Sequence, residues 1–275
     1  MKHDTYEAYS EARTQMAESA LLTAWDSLAA FQDDLVLIGG LAIRYLSQRS
    51  GSGRLEAVTT DVDFGVSLGV SNGQYGSLRE TLRGQGFRWE RGRFQKEIAG
   101  VEVYIDLLTE QPGHDRGTVM VDDGLEVAAV PGLDRALAHH RRVPIEGRCL
   151  LGVPRQIVVK VAEIGPLLVL KLNAFGGPKG RKQPKDVSDL MFAATHYLDG
   201  VDAAVADFRA EVIAQNTGAP HALAALRQYF GDTEAWGPVA CAAFRLNNHD
   251  RDPELAEESM RIRQQCVTIA QALLG

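Results

Sequence analysis

The pattern of hydrophobic and polar positions along this chain changes its period once, near residue 160. Before that point, short runs either alternate as strands do or are continuously apolar. These runs are 35–40 (LVLIGG), 59–66 (TTDVDFGV), 93–100 (RFQKEIAG), 101–110 (VEVYIDLLTE), 125–130 (LEVAAV) and 154–161 (PRQIVVKV). After it, apolar residues recur every three to four positions as far as Leu274, which predicts helices.

Helices are also predicted between the strands of the first part. They cover about 5–31, 40–48, 73–86 and 133–140. The predicted fold class is therefore α+β, with a mixed β-sheet core flanked by helices and a C-terminal helical domain. The change of period near residue 160 is the predicted domain boundary, which separates a first domain at 1–160 from a helical domain at 161–275.

Composition places the chain among ordinary globular proteins. Its 275 residues are 45% hydrophobic and 24% charged, which is enough to bury a core. No apolar run approaches the roughly 18 residues of a membrane span, and the first residues are polar and acidic, unlike a signal peptide. These features predict a cytoplasmic protein with no membrane partner. Cys149, Cys241 and Cys266 lack metal-ligand spacing and are predicted to be reduced thiols.

The formal net charge of −7 argues against a surface that binds nucleic acid over its whole extent. Local basic segments remain at 88–96 (RWERGRFQK), 139–142 (HHRR) and 179–185 (KGRKQPK). Each can be a solvated face or a contact for a polyanion, and their placement in the fold decides between the two.

Two aspartates in the strand at 59–66 need an explanation. Residues two apart in a strand share a face, so Asp61 and Asp63 project together while Val62 and Phe64 face the core. Two adjacent carboxylates repel each other unless a cation bridges them, and Mg²⁺ prefers carboxylate and phosphate oxygens. Asp106 ends a second alternating segment and is a candidate third ligand. The alternative is that the aspartates form the solvent face of an amphipathic sheet.

Gly39 and Gly40 lie where the strand at 35–40 gives way to a helix. Free backbone N–H groups at a helix start can bind phosphate, and glycine lets the backbone approach closely. The alternative is a simple tight turn. The segment is not a P-loop, because GxxxxGK[ST] does not occur in the chain.

Four segments in fixed order carry a family resemblance: IGGLAIRYL, TTDVDFGV, VEVYIDLL and LLVLKLNAFGGPKGRKQPKDVSDLMFA. Over residues 35–195 the chain resembles the polymerase-beta-type nucleotidyltransferases. Within them it is most similar to the AbiEii group, which includes toxins of type IV toxin–antitoxin modules and MenT-like toxins. The resemblance implies a nucleotidyltransferase fold, a nucleoside triphosphate as substrate and, in all, two bound Mg²⁺ ions.

The resemblance also assigns roles to residues. Asp61, Asp63 and Asp106 would hold the metal and serve catalysis. The nucleotide would be bound by Gly39, Gly40, Thr60, Lys171, Arg181, Asp186 and Asp189. A lysine in the apolar segment around Lys171 is costly to bury without a phosphate or carboxylate partner. The alternatives are that Lys171 extends to solvent and that Asp186 only supplies negative charge at a helix start.

The chain departs from the family pattern at two points. Members commonly carry an arginine four residues before the first aspartate, where this chain has Ala57; either Arg54 or Arg44 replaces that contact, or no residue does. The connection between Lys171 and Arg181 is also lengthened by GGPKG.

The function implied is a Mg²⁺-dependent transfer of a nucleoside monophosphate to an acceptor hydroxyl. The first candidate acceptor is tRNA, modified by a toxin of a toxin–antitoxin or phage-defence system, and a cognate antitoxin is then a candidate partner. The alternatives are an adenylyltransferase for a protein or a small aminoglycoside-like molecule, and a non-catalytic nucleotide-sensing module.

Overall fold

The computed structural model describes most of the chain, namely residues 3–47, 57–67, 74–98, 100–111, 113, 117–122, 125–178 and 180–275. Arg54 and Lys179, which the sequence singles out, lie outside these ranges. The chain divides into two compact units. The sheet unit contains Glu11–Tyr45 and Val58–Glu163, and the helical unit contains Ile164–Gly275 together with the described residues of 1–10 and 46–57.

The sheet unit is built on one open, mixed β-sheet. Among the described residues its strands are β1 Leu35–Ile38, β2 Asp61–Val66, β3 Arg88–Glu90, β4 Arg93–Ile98, β5 Val101–Thr109, β6 Gly117–Asp122, β7 Leu125–Ala129, β8 His140–Arg148 and β9 Pro154–Ala162. The strand order is β3-β4-β5-β2-β1-β9-β8, while β7 pairs with β6 and with the end of β5. The β2–β5 and β1–β9 pairs are parallel and β1–β2 is antiparallel. Strands and helices together confirm the coarse α+β prediction.

Helices of the sheet unit are α1 Glu11–Ser27, α2 Gly39–Leu46, α3 Gln74–Gly84 and α4 Leu133–Ala138. Helix α1 packs on the central strands, where Trp25 stacks on Phe64 with ring centroids 5.9 Å apart. Val62 and Phe64 are fully buried. One face of β2 therefore belongs to the core, and its other face carries Asp61 and Asp63.

The helical unit consists of α5 Ile164–Gly176, α6 Pro184–His196, α7 Val201–Ile213, α8 Ala219–Tyr229, α9 Trp236–Arg245 and α10 Ala256–Leu274. Helix α5 is buried along almost its whole length because α6, α7 and α8 pack around it. None of the described helices is both long and apolar enough to cross a bilayer.

The boundaries differ from the sequence prediction in several places. Helix α1 begins at Glu11 rather than near residue 5. Gly39 and Gly40 open α2 instead of ending β1, because the pairing of β1 with β2 stops at Ile38 and Asp63. Strands β3, β6 and β8 were not predicted. Strands β3 and β8 are polar and largely exposed, so their sequences lack the alternation that marks a half-buried strand, and in β6 Thr118 and Met120 are exposed.

Candidate active site

Three carboxylates meet on one face of the sheet. Asp63 pairs with Asp106 across the parallel β2–β5 ladder, and Asp61 pairs with Tyr104. Paired residues of neighbouring strands share a face, as do residues two apart in one strand. Asp61, Asp63 and Asp106 therefore lie on the face opposite the buried core, which is the arrangement that the sequence alternation predicts.

Residue 39 must be a glycine because the Asp63 carboxylate occupies the space where a side chain would lie. Its φ is +73°, and a Cβ at this residue would lie 1.9 Å from Asp63 Oδ2. A Cβ on Gly40 would lie 2.7 Å from the Cβ of Thr59. The double glycine thus lets β2 lie directly against the first residues of α2, whose dipole places partial positive charge near the Asp63 carboxylate.

The Asp61 side chain is oriented by the two residues before it. Its Oδ1 accepts hydrogen bonds from the Thr59 and Thr60 hydroxyls, both at 3.2 Å, and from the Thr60 backbone N–H at 3.3 Å. Asp61 is buried, with 8% of its surface exposed. Thr60, assigned to nucleotide binding by resemblance, therefore contacts the carboxylate itself.

Arg93, which the sequence did not single out as a site residue, lies within the carboxylate group. Its Nε donates to Asp106 Oδ1 at 2.9 Å, and its Nη2 donates to Asp106 Oδ2 at 2.7 Å and to Asp61 Oδ2 at 3.1 Å. The guanidinium carbon lies 4.0 Å from the centroid of the Tyr104 ring. Arg93 is thus a cation that links two of the three carboxylates.

The turn between β3 and β4 and the register of β4 with β5 place Arg93 beside Asp106. Arg91 and Gly92 both have positive φ, 52° and 78°, and form a two-residue turn between β3 and β4. Only two residues separate β4 from β5, and the pairing of Phe94 with Ile105 places Arg93 next to Asp106. The short loops are the sequence signal that could have identified Arg93 as a site residue. From the sequence, Arg93 was only one cation of the basic segment 88–96.

The electrostatics of the site are dominated by crowded negative charge. Burial raises the pKa of Asp106 from 3.8 to about 7, the charges of Asp63 and Asp61 raise it too, and Arg93 opposes them. Burial opposes the charged form of Arg93, but Asp106 and Asp61 outweigh that effect and raise its pKa. The carboxylates therefore hold more negative charge than Arg93 neutralises.

The three carboxylates are of the residue type that a hard divalent cation prefers. Asp61, Asp63 and Asp106 offer carboxylate oxygens, the ligands that Mg²⁺ prefers, and Arg93 is bonded to two of the three. Within the described residues, no three or more His, Cys, Asp or Glu side chains are gathered in a metal-binding arrangement. The fit therefore rests on the chemistry of the donors and their shared face.

The other predicted residues form an ion network in the helical unit. Lys171 Nζ and Lys185 Nζ both donate to Asp189 Oδ2 at 2.6 Å, and Lys171 Nζ lies 3.5 Å from Asp186 Oδ1. Arg181 donates from Nε and Nη2 to the two oxygens of Asp186, each at 2.6 Å. Lys171 is buried rather than extended to solvent, and its partners are carboxylates.

Burial and charge act in opposite directions inside this ion network. Burial would lower the pKa of Lys171, but Asp189 and Asp186 outweigh it and raise that pKa. Burial would likewise raise the pKa of Asp189, but Lys171 and Lys185 outweigh it and lower that pKa. Each charge in the network is therefore stabilised by its neighbours.

The connection between α5 and α6 places Arg181 beside Asp186. The backbone N–H groups of Arg181 and Lys182 donate to the carbonyls of Ala174 and Phe175, at 2.9 and 3.0 Å. The loop thereby folds back on the end of α5, and Arg181 reaches Asp186. Asp186 lies in the first turn of α6, so it supplies negative charge at that helix start as well.

Two further sequence expectations concern arginines. Arg44, a candidate replacement for the missing arginine at Ala57, bonds Glu18 at 3.0 Å and Glu11 at 2.8 Å on α1. In the basic segment 139–142, Arg141 pairs with Glu163 at 2.5 Å. Both arginines thus have carboxylate partners within the sheet unit.

A scan of the sequence against protein-family models finds no match, and a search of curated proteins finds none either.

Proposed function

We propose that this protein is a Mg²⁺-dependent nucleotidyltransferase. The observation that carries the proposal is the position of Asp61, Asp63 and Asp106 on one face of neighbouring strands, directly beside Gly39 at the start of α2. Carboxylates fixed in this way on neighbouring strands are suited to a divalent cation that in turn binds a triphosphate.

The proposed reaction moves a nucleoside monophosphate from a nucleoside triphosphate to a hydroxyl. The acceptor oxygen forms a bond to the α-phosphorus, and the bond from that phosphorus to the oxygen bridging the α- and β-phosphates breaks. Pyrophosphate leaves, and the hydroxyl proton is released to water. Such a displacement depends on positioning and charge stabilisation more than on covalent help from the protein.

The side chains have distinct tasks in this proposal. Asp61 and Asp63, with Asp106 beside them, would hold Mg²⁺, which supplies charge neutralisation at the phosphates and a more acidic acceptor hydroxyl. Thr59 and Thr60 fix the direction of Asp61 through their hydrogen bonds. Gly39 leaves the space that Asp63 occupies.

The acceptor we propose first is the 3′ end of tRNA, because the four-segment resemblance is to the toxin group. A toxin of this kind would be paired with a cognate antitoxin. The basic segments add limited support, since Arg93 and Arg141 are bonded to carboxylates of the sheet unit. Acceptors on a protein or a cationic small molecule are distinguished from tRNA by the same experiment.

The test is incorporation of label from each α-labelled nucleoside triphosphate with Mg²⁺, in the presence of total tRNA or cell lysate. We expect label in tRNA, and a loss of at least about a hundredfold in Asp63→Asn because the metal contributes several kcal/mol to such transfers. The matched control is Asp33→Asn, which neutralises a carboxylate whose side chain is 94% exposed.

The outcomes separate the hypotheses. Label in a protein would support an adenylyltransferase and contradict the tRNA assignment. Absence of label with every nucleotide and acceptor would contradict the enzyme and leave a nucleotide-sensing module. Near-normal transfer by folded Asp63→Asn would contradict the proposed metal site.

A further inference from the structure

Thr14 lies in helix α1 and contacts the segment that leads into Asp61. We propose that Thr14 is a positioning residue for the candidate active site: it fixes the backbone of Thr59, and Thr59 in turn fixes the Asp61 carboxylate. The consequence for catalysis rests on the proposed nucleotidyl transfer. The hydrogen-bond relay from Thr14 through Thr59 to Asp61 is measurable without that function.

Thr14 is the polar member of an otherwise apolar buried face. The other buried residues of α1 are alanine, leucine and tryptophan, and Thr14 itself is 0% exposed. Burying a hydroxyl costs free energy unless the hydroxyl is hydrogen-bonded, and threonine forms helices less readily than alanine or leucine. Packing alone would therefore favour an apolar residue at this position, and the hydroxyl needs a specific partner.

The partner of Thr14 is a backbone group beside the candidate site. Thr14 Oγ1 accepts a hydrogen bond from the Thr59 backbone N–H, with 3.2 Å between nitrogen and oxygen. Thr59 is 2% exposed and lies two positions before Asp61, the first residue of β2. A buried N–H without an acceptor is costly, so this bond fixes the chain where it enters β2.

Thr59 transmits this constraint to the carboxylate. Its Oγ1 donates to Asp61 Oδ1 at 3.2 Å and accepts the Asp61 backbone N–H at 3.4 Å. A Cβ on Gly40 would lie 2.7 Å from the Thr59 Cβ, so the start of α2 packs directly against Thr59. Thr59 is thus held by its bond to Thr14 and by its contact with Gly40, and its hydroxyl orients one oxygen of Asp61.

Loss of the Thr14 hydroxyl would act on Asp61 from a distance. The Thr59 N–H would lose its acceptor at a buried position, and the segment would shift to regain a partner. The hydrogen bonds from Thr59 and Thr60 would then no longer hold Asp61 Oδ1 in the same place. A displacement of about 1 Å in a reacting group can cost about a hundredfold in rate. Thr14 would affect catalysis in this way through Thr59, without contacting the substrate.

The first measurement follows the relay itself, without substrate. Amide hydrogen exchange at Thr59 and Thr60, whose N–H groups bond Thr14 and Asp61, is compared between Thr14→Val and Thr109→Val. Valine has nearly the shape of threonine but no hydroxyl. We expect both amides to exchange at least about tenfold faster in Thr14→Val than in Thr109→Val, because the local bonds that protect them are lost.

Thr109→Val is the matched control because Thr109 is also a fully buried threonine of the sheet unit. Its Oγ1 donates to the Val66 carbonyl at 2.9 Å, at the opposite end of β2 from Asp61. Both valine variants lose one buried hydrogen bond, so their melting temperatures should fall by similar amounts. A difference between them at Thr59 and Thr60 therefore reflects the position of the hydroxyl and not general destabilisation.

The second measurement is nucleotide transfer. Thr14→Val is expected to lower kcat about tenfold and to change KM for the triphosphate by less than about twofold, because Thr14 does not contact the substrate. Thr14→Ser restores the acceptor oxygen and should transfer at a rate within about twofold of wild type. Thr109→Val should keep the kcat of wild type.

The outcomes separate the relay from the proposed function. Equal amide exchange in folded Thr14→Val and Thr109→Val would overturn the relay. Wild-type kcat in folded Thr14→Val, or the same loss of kcat in Thr109→Val, would overturn the positioning role. Faster exchange at Thr60 in Thr14→Val, together with no transfer by wild type, would support the relay and contradict the proposed function.

Thr14→Ala provides the test if Thr14→Val does not fold, as judged by circular dichroism. Alanine also removes the hydroxyl, and it is the strongest helix former. The expected changes in amide exchange and in kcat are the same as for Thr14→Val, and wild-type values of both would overturn the inference.

Discussion

The two units of this protein each contain a cluster of charged side chains, and the clusters differ in charge balance and in exposure. In the sheet unit, Asp61, Asp63 and Asp106 outnumber Arg93, and 27% of the Asp106 side chain is exposed. In the helical unit, two carboxylates, Asp186 and Asp189, are almost completely buried. Three cations surround them, namely Lys171, Lys185 and Arg181.

The difference indicates different tasks. A buried charge is tolerated only when it is paired and hydrogen-bonded, and each carboxylate of the helical cluster has two cationic partners. Such a closed network stabilises its own fold. Among the described contacts, the sheet cluster has more carboxylates than cations and is partly accessible, which favours binding of a cation. Charge excess together with access distinguishes the candidate site from the structural network.

The largest expected effect follows from breaking the closed network. Lys171→Met removes one of the two cations on Asp189 and should lower the free energy of unfolding by about 3 to 5 kcal/mol, because a buried carboxylate loses one of its two cationic partners. Urea denaturation followed by circular dichroism measures it. Lys182→Met is the control, since Lys182 is exposed and lies over the Tyr229 ring.

A second variant sharpens the same prediction. Adding Asp189→Asn to Lys171→Met should cost less than the two separate losses together, because the uncompensated charge is removed. If the losses of unfolding free energy were additive, the two side chains would act independently, which would contradict an ion network that includes both.

An intermediate effect is expected at Gly39. Gly39→Ala forces a Cβ into the space of the Asp63 carboxylate at positive φ, and should destabilise the protein by about 1 to 3 kcal/mol. It should also weaken Mn²⁺ binding because Asp63 must move. Gly84→Ala is the control: a Cβ there meets nothing within 4 Å, and alanine is the better helix former. Unchanged Mn²⁺ affinity in Gly39→Ala would contradict the role given to Asp63.

The smallest expected effect is on the pH dependence of stability, to which Asp106 and Asp189 contribute with opposite signs. Burial and Asp63 raise the pKa of Asp106 from 3.8 to about 7, so its contribution to stability is present below about pH 3.8 and is lost as the pH rises toward 7. The lowered pKa of Asp189 acts in reverse: its contribution is present above pH 3.8 and is lost as the pH falls through its folded-state pKa.

Denaturation between about pH 4 and about pH 7, with chelator present, measures this difference. Wild type should lose stability relative to Asp106→Asn over that range, by a modest amount because part of Asp106 is exposed and screened. Equal slopes for the two proteins would show that Asp106 does not titrate in this range.

Several features of the site could be predicted from the sequence because they depend on local periodicity. Alternation in β2 places Asp61 and Asp63 on one face and Val62 on the other, as the fully buried Val62 side chain bears out. The cost of burying a lysine in an apolar helix predicts a charged partner for Lys171, and Asp189 is that partner.

Other features depend on which elements become neighbours. Arg93 is one cation in a basic segment until the β4–β5 register brings it to Asp106. Strand β8 is recognisable only from its continuous pairing with β9, because its own sequence is polar and largely exposed. From the sequence, Gly39 is compatible with a tight turn or with a phosphate-binding helix start. The structure adds a reason that the sequence does not contain, because Asp63 occupies the space where a side chain at residue 39 would lie.

The sequence by itself determined most of the strand and helix segments and the chemical groups available: paired aspartates, a double glycine and a lysine in an apolar segment with acidic residues nearby. Period and side-chain chemistry are properties of short stretches, which is why they can be deduced from sequence. Tertiary structure alone decided which charges neutralise one another. Asp106, Asp61 and Arg93 come from three different strands, and the ion pairs among them exist only because backbone pairing holds those strands in one register.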